Sequence, residues 1–320
     1  MKDLTIIKIS KKNTFFFLKA SVSFGFFYIL FTKFSLYDIF DILKKSQFNI
    51  LLLTILTVIA QFILAIIRWH KLLKLKNINI SIKQCLKIFW IGLFFNQVLP
   101  STIGGDAIRA YLIIKNGHNI GVTTISILLD RMFGLIGLLV LLIIIMPFFF
   151  NLLPNTLNFL EIYFLTLILA IVIIKIFFLD FILKKFIRFK FIQIISTLAK
   201  DGRRLLKNYK LGFNILTLSI LIHLISVITI GLIAISLNII IPWGFLLIIV
   251  PIISLLVFIP ISISGWGFRE GIMVLGLGYC GVPGIEALTL SLVYGFTLLL
   301  TALPGMVLWI TNTKLNKNKI

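Results

Sequence analysis

Stretches of about 20 apolar residues recur along this chain, and they constrain its fold more than any other feature. In lipid, only α-helices and closed barrels satisfy their own backbone hydrogen bonds, and a helix of this length crosses the hydrocarbon core. Hydrophobic residues make up 60% of the 320 positions, against about 45–50% in soluble domains. The sequence therefore predicts an all-α polytopic membrane protein. The six predicted spans are residues 14–33, 49–67, 122–146, 159–179, 212–236 and 285–311.

Two further apolar regions, residues 86–115 and 244–280, are interrupted in the middle by proline, glycine and charged residues. We expect each to enter and leave the membrane on the same side as a broken re-entrant hairpin. Three predicted spans lie between the hairpins, so the two hairpins would enter from opposite sides of the membrane, as in inverted repeats. The predicted fold is a single transmembrane domain, residues 1–320, with halves 1–160 and 161–320. The charges are also compatible with a different number of crossings.

The distribution of charge predicts the orientation. The chain has 31 Lys and Arg against 10 Asp and Glu, and the basic residues lie mainly between apolar runs, as the positive-inside rule requires of cytoplasmic loops. We expect a multi-pass protein of a prokaryotic cytoplasmic (inner) membrane with both termini cytoplasmic, its first helix retained. No aromatic-interleaved basic face indicates nucleic-acid binding. The predicted cytoplasmic segments are residues 1–13, 68–87, 115–121, 180–210 and 312–320.

The two interrupted regions carry similar motifs, at residues 96–111 and 259–271. In each, a proline follows an apolar half-helix, then come hydroxyl residues, paired glycines and an arginine. The interval from Pro100 to Arg109 equals that from Pro260 to Arg269. Proline ends a helix, glycine allows a sharp turn, and the next half-helix begins with unpaired N–H groups. Such donors, together with an arginine, favour an anion and above all phosphate.

A charged pair, Asp130-Arg131, lies inside the third predicted span, where ionisable residues usually face the bundle interior. Packing kinks, in which Asp106 neutralises Arg109 and Glu270 neutralises Arg269, are the alternative to a binding site, and the matching register of the two motifs favours the binding site. Scattered cysteines and histidines give no metal pattern, so we expect neither a metal nor another cofactor. The candidate ligand-binding residues are Asn96, Ser101, Gly104, Gly105, Asp106, Arg109, Asp130, Arg131, Gly265, Gly267, Arg269 and Glu270.

At these residues the chain resembles the lysylphosphatidylglycerol synthase transmembrane region, also called the flippase-like domain family. The resemblance is carried by Arg68-Trp69, by residues 96–109, by Asp130-Arg131 with Gly134-Leu135, and by residues 260–270. Trp266 departs from the small or aliphatic residue frequent at this position in relatives. The resemblance implies a helical bundle that moves or accommodates lipids. In multi-domain relatives, a separate cytosolic domain makes the aminoacylated lipid; few residues follow the last predicted span in this sequence, so we expect this chain not to make that lipid by itself.

The sequence and the resemblance together favour a flippase-like transporter of lipids with an anionic headgroup, either a phospholipid or a polyprenyl-phosphate carrier. Arg109 and Arg269 would hold the phosphate, and transport would be passive or ion-driven. Three alternatives remain open: a secondary transporter of small anions, an intramembrane enzyme acting on a lipid phosphate with Asp106 or Glu270 as base, and a non-transporting scaffold. A partner enzyme of lipid or glycan synthesis is compatible with the last alternative.

Overall fold

The structure, a computed structural model, describes residues 21, 23–99, 104–149, 159–179, 190–258, 262 and 265–317. In this part of the chain the regular structure is helical. Residues 23–33 are helical, and Met146–Phe148 form a short 3-10 helix. The twelve numbered helices are α1 (Leu36–Lys44), α2 (Phe48–Leu75), α3 (Ile82–Val98), α4 (Gly104–Lys115), α5 (Ile120–Ile145), α6 (Phe159–Ile176), α7 (Lys190–Lys207), α8 (Tyr209–Ser236), α9 (Trp243–Val257), α10 (Phe268–Gly278), α11 (Gly284–Ala302) and α12 (Pro304–Lys317).

Four helical stretches in the described residues are long and apolar enough to cross a membrane. They coincide with four predicted spans, so the prediction of a polytopic all-α membrane protein is confirmed. Helix α6 has 18 residues, or about 27 Å at 1.5 Å per residue, and lies within the predicted span 159–179. In the predicted span 14–33, residues 23–33 are helical, and residues 14–20 and 22 lie outside the described residues. The four stretches are Phe48–Leu75, Ile120–Phe148, Tyr209–Ser236 and Gly284–Thr311.

Both predicted interruptions are confirmed as breaks between two short helices. Helix α3 ends at Val98 and α4 begins at Gly104, and the two pack against each other. They approach so closely that a Cβ on Gly105 would lie 2.0 Å from the carbonyl oxygen of Gly92. In the second hairpin, α9 and α10 are joined through Gly265 and Gly267, both at positive φ. Ser101, a predicted site residue, lies outside the described residues.

The order of helices repeats in the two halves of the chain. A helix of 28 residues is followed by two short helices and another long helix, first as α2–α5 and then as α8–α11. The connections repeat as well: among the described residues, the non-glycine positions with positive φ are Asn77 after α2 and Asn238 after α8. The N–H of the following residue, Ile78 or Ile239, then bonds back into the preceding helix at 2.9 Å.

The two repeats are inverted relative to each other. Hydrogen bonds join α2 to α8 along their length, and the α8 residue number falls as the α2 number rises. The equivalent helices are therefore antiparallel, and the hairpin that follows each one begins at an opposite end of the bundle. The prediction of an inverted repeat is thereby confirmed. The pairs are Thr57 with Thr229 at 2.8 Å, Gln61 with Ser226 at 2.7 Å, and Arg68 with Ser219 at 3.0 Å.

Candidate functional site

Five charged side chains from α2, α4 and α5 form one network, here called the arginine–aspartate cluster. Asp130 accepts from Arg68 Nε at 2.9 Å and from Arg109 at 3.3 Å. Asp106 accepts from Arg109 at 2.9 Å and from Arg131 Nε at 2.6 Å. Each carboxylate thus accepts a hydrogen bond at each of its two oxygens, and the two donors belong to different arginines. Three arginines against two aspartates leave the cluster with an excess positive charge, a property that attracts an anion.

The cluster is compatible with a low-dielectric interior because its charges are paired and its cations are covered. Removing an ion from water costs several kcal/mol unless other charges and hydrogen bonds compensate. The Arg109 guanidinium lies 3.9 Å from the ring centroid of Trp69 and 4.4 Å from that of Phe89. Gly92 leaves room for it, since a Cβ there would lie 2.7 Å from the Cγ of Arg109. Arg131 differs, because 32% of its side chain is exposed.

The structure corrects the prediction that Arg68 belongs to a cytoplasmic loop, residues 68–87. Arg68 lies within α2 and is buried, because Asp130 on α5 and Ser219 on α8 accept its hydrogen bonds. A histidine inside an apolar run predicts an interhelical hydrogen bond rather than a ligand, and His223 on α8 makes one, since its Nε2 lies 3.0 Å from the Gly134 carbonyl oxygen on α5. For Arg68, the available sequence signal was the Arg68-Trp69 pair of the family resemblance.

The second centre lies at the start of α10, where Arg269 pairs with the fully buried Glu270. One Glu270 oxygen accepts from the Gly267 N–H at 2.6 Å, and the other accepts from Arg269 Nε at 3.0 Å and Ser291 at 3.3 Å. The Arg269 guanidinium lies 4.8 Å from the Trp266 ring centroid. This pair carries no net charge, so the two halves of the repeat differ electrostatically.

At Gly105 and Gly267, the structure does not offer the free backbone donors that the sequence predicted. The Gly105 N–H donates to Asn96 Oδ1 at 2.8 Å, and the Gly267 N–H donates to Glu270. Gly104 instead packs on Leu99, and the Gly265 carbonyl accepts the Arg269 N–H. Asn96 on α3 and Glu270 on α10 thus satisfy the two N–H groups, because an unpaired N–H is costly in an apolar interior.

The arginines of the two motifs do not occupy equivalent helical positions, although their intervals from proline are equal. The acidic residues do: Asp106 and Glu270 are the third residues of α4 and α10. In the inverted repeat, Asp106 and Glu270 are therefore at equivalent positions, and Arg109 and Arg269 are not. The position of α11 that corresponds to Arg131 in α5 is Gly295, where a Cβ would lie 2.1 Å from a terminal nitrogen of Arg269. The second arginine thus fills space that a side chain on α11 would take.

Two cavities lined in part by charged and polar side chains adjoin these charges. The first, the Arg109 chamber, has a volume of about 260 Å³ and is lined by the whole arginine–aspartate cluster and His223. The second, the Arg269 chamber, has a volume of about 300 Å³ and is lined by Arg269 and Arg131. They have four lining residues in common: Asn96, Arg131, Ser254 and Phe258. The structure thus brings residues of both motifs to adjoining cavities, with Arg131 between Arg109 and Arg269.

A third cavity is almost entirely apolar. This apolar cleft, of about 510 Å³, lies between α4, α5 and α7, and its wall includes Ala107, Ile127, Leu128 and Leu198. Asp106, Arg131 and Phe258 also line it. A space for hydrocarbon and a space for a charged group therefore meet at the Arg131 side chain.

The site lies within the part of the chain that matches a known family model. The model described as the lysylphosphatidylglycerol synthase TM region matches residues 16–305. The chain belongs to this family. The resemblance inferred from the motifs is thereby confirmed, and the motif residues, both chambers and the apolar cleft all fall within the matched part of this member of the lysylphosphatidylglycerol synthase TM-region family.

A relative in the same comparisons is the UPF0104 membrane protein PH1989 of Pyrococcus horikoshii, which is 26% identical over 102 residues. The alignment covers 31% of this chain and 30% of that protein. The match spans less than a third of either protein, so it supports similarity to a membrane protein and carries nothing about activity.

Proposed function

We propose that this protein moves lipids with an anionic headgroup, phospholipids or polyprenyl-phosphate carriers, across the cytoplasmic membrane. The observation that carries the proposal is the junction of the apolar cleft with two cationic chambers at Arg131. A lipid has the same division, because its phosphate needs cations and its acyl chains need apolar surface. Acyl chains in the apolar cleft would place the phosphate beside Arg131.

Arg131 and Arg269 are the residues we assign to the phosphate. They line one chamber, and the guanidinium fork can give a phosphate two parallel hydrogen bonds. Arg109 has a different role in this proposal. Its guanidinium is held by Asp106 and Asp130 and covered by Trp69 and Phe89. Arg109 therefore positions the cluster and adds positive electrostatic potential, without contacting the phosphate directly.

Transport is favoured over the alternatives by two observations. An apolar cleft contributes nothing to binding a small inorganic anion, whereas it can bind the acyl chains of a lipid. The carboxylates that an intramembrane enzyme would need as a base, Asp106 and Glu270, have both oxygens engaged by donors. Transport is passive or ion-driven in this proposal, and both termini face the cytoplasm.

Lipid movement in proteoliposomes tests the proposal. Labelled phosphatidylglycerol, phosphatidylcholine and a polyprenyl phosphate are compared in wild type, Arg131→Gln and Arg269→Gln. Arg204→Gln, an exposed arginine on α7, is the matched control for loss of a cation. We expect selective movement of anionic lipids in wild type and the control, and its loss in both chamber variants with folding intact.

Radiolabelled phosphate uptake in the same vesicles separates the alternatives. Phosphate uptake without lipid movement would replace the flippase proposal by a small-anion transporter. No movement of any probe across a range of pH and ion gradients, in a protein that still folds, would favour the scaffold. Movement unaffected by both arginine variants would remove Arg131 and Arg269 from the headgroup site.

A further inference from the structure

Phe258 occupies an unusual place among the cavity walls. In the described residues, Phe258 and Arg131 are the side chains that line the Arg109 chamber, the Arg269 chamber and the apolar cleft alike. The Arg131 guanidinium carbon lies 5.9 Å from the centroid of the Phe258 ring, within range of a cation–π contact. An aromatic ring thus stands at the junction where the charged and apolar spaces meet.

We propose that Phe258 is a specificity-determining residue that separates the Arg269 chamber from the apolar cleft and so limits which headgroups pass. The inference rests on the proposed function. A headgroup whose acyl chains lie in the cleft reaches Arg269 only by displacing the Phe258 ring. A small headgroup needs a small displacement and a bulky one needs full withdrawal, so the ring selects by size.

The position of Phe258 on α9 supports a movable barrier. It caps the C-terminal end of α9, and Pro251 lies inside that helix. Proline lacks the N–H that would bond to the carbonyl one turn earlier, which weakens the helix at that point. The segment from Pro251 to Phe258 is therefore less firmly tied to the rest of α9. A phosphate at Arg131 would also weaken the attraction between that cation and the ring, because it neutralises the charge.

Transport rates give the first test. Lipids with the same acyl chains and an anionic headgroup of small or large volume are compared in wild type, Phe258→Ala and Phe258→Leu. Phe213→Ala, an exposed phenylalanine on α8, is the control for loss of an aromatic ring. We expect Phe258→Ala to raise the rate of the bulky lipid relative to the small one by about tenfold, a difference of about 1.4 kcal/mol between their barriers, because only the bulky headgroup requires the ring to withdraw fully. Phe258→Leu should fall between. An unchanged ratio overturns the proposal.

Cysteine labelling gives a second test that does not depend on transport. Leu298 lines the Arg269 chamber and neither of the other two cavities, so Leu298→Cys in a Cys280→Ser background reports access to that chamber. A bulky anionic thiosulfonate should label it several-fold faster when Phe258→Ala is added and more slowly with Phe258→Trp. Equal rates show that the chamber is reached by another route, and the barrier is then absent. If wild type moves no lipid, the proposed function fails, while the labelling result still decides whether Phe258 closes the chamber.

Discussion

Arg131 on α5 donates from Nε to Asp106 in the first turn of α4 at 2.6 Å, across 25 positions of sequence. This bond fastens the first hairpin to a membrane-spanning helix and holds the guanidinium where three cavities meet. Asp106 keeps Arg109 as a second partner, so loss of Arg131 leaves the carboxylate paired. Loss of Asp130, by contrast, leaves two buried arginines, Arg68 and Arg109, short of a partner. The cluster therefore contains buried residues that stabilise the fold and one residue, Arg131, that faces the cavities.

Asp130→Asn should strongly destabilise the protein. Asp130 neutralises parts of Arg68 and Arg109, and breaking a buried pair by removing one partner costs about 3–5 kcal/mol. Unfolding in detergent followed by circular dichroism measures the loss. Asp41→Asn removes the partner of Lys45 in an exposed pair on α1 and should leave stability unchanged.

A second substitution checks the cause. If uncompensated positive charge is responsible, Arg68→Gln in the Asp130→Asn background should recover part of the stability. A double variant that is less stable than either single variant would show that the hydrogen bonds, and not the charges, dominate.

Gly295→Ala should impair lipid movement through Arg269. The added methyl would lie 2.1 Å from a terminal nitrogen of Arg269, so the guanidinium must leave its place beside Glu270. Overpacking of this kind costs about 1–3 kcal/mol. Gly278→Ala is the matched control, because nothing lies within 4 Å of a Cβ at that helical position. Equal transport by the two variants, measured in proteoliposomes, would show that the Arg269 geometry does not matter.

The antiparallel arrangement of α2 and α8 can be tested by cross-linking. The hydroxyl oxygens of Thr57 and Thr229 lie 2.8 Å apart, so Thr57→Cys with Thr229→Cys should form a disulfide readily under mild oxidant. Thr57→Cys with Ser219→Cys places the second thiol far along α8 and should stay reduced. A mobility shift on a non-reducing gel gives the answer. The opposite result would require parallel helices and would exclude an inverted repeat.

Cys280 reports the orientation in the membrane. It lies between α10 and α11 and is partly exposed, whereas Cys85 is buried in α3. With both termini cytoplasmic, a membrane-impermeant maleimide should label Cys280 in intact cells. Burial raises the pKa of the Cys280 thiol, so less thiolate is present at neutral pH and labelling should be slow and should speed up as the pH rises. Labelling only after the membrane is opened would reverse the predicted topology.

The spans and the two interruptions could be predicted from sequence because they are local properties. A run of apolar residues such as 212–236 has a length that fits the bilayer whatever surrounds it, and proline and glycine break a helix through their own backbones. The pairing of charges could not be predicted in this way. Arg68 was assigned to a loop because its partners, Asp130 and Ser219, are distant in sequence.

The sequence by itself determined that the chain spans a membrane, where its helices break, and which family it resembles, since each follows from composition and local order. Only the tertiary structure decided what the charged residues do. In the folded chain, the N–H groups of Gly105 and Gly267 donate to Asn96 and Glu270. Aromatic rings cover the Arg109 guanidinium, and Arg131 lies at the junction of the cavities. The physical reason is that a buried charge or N–H must find its partner in space, and the inverted packing of the two halves sets which partners are near.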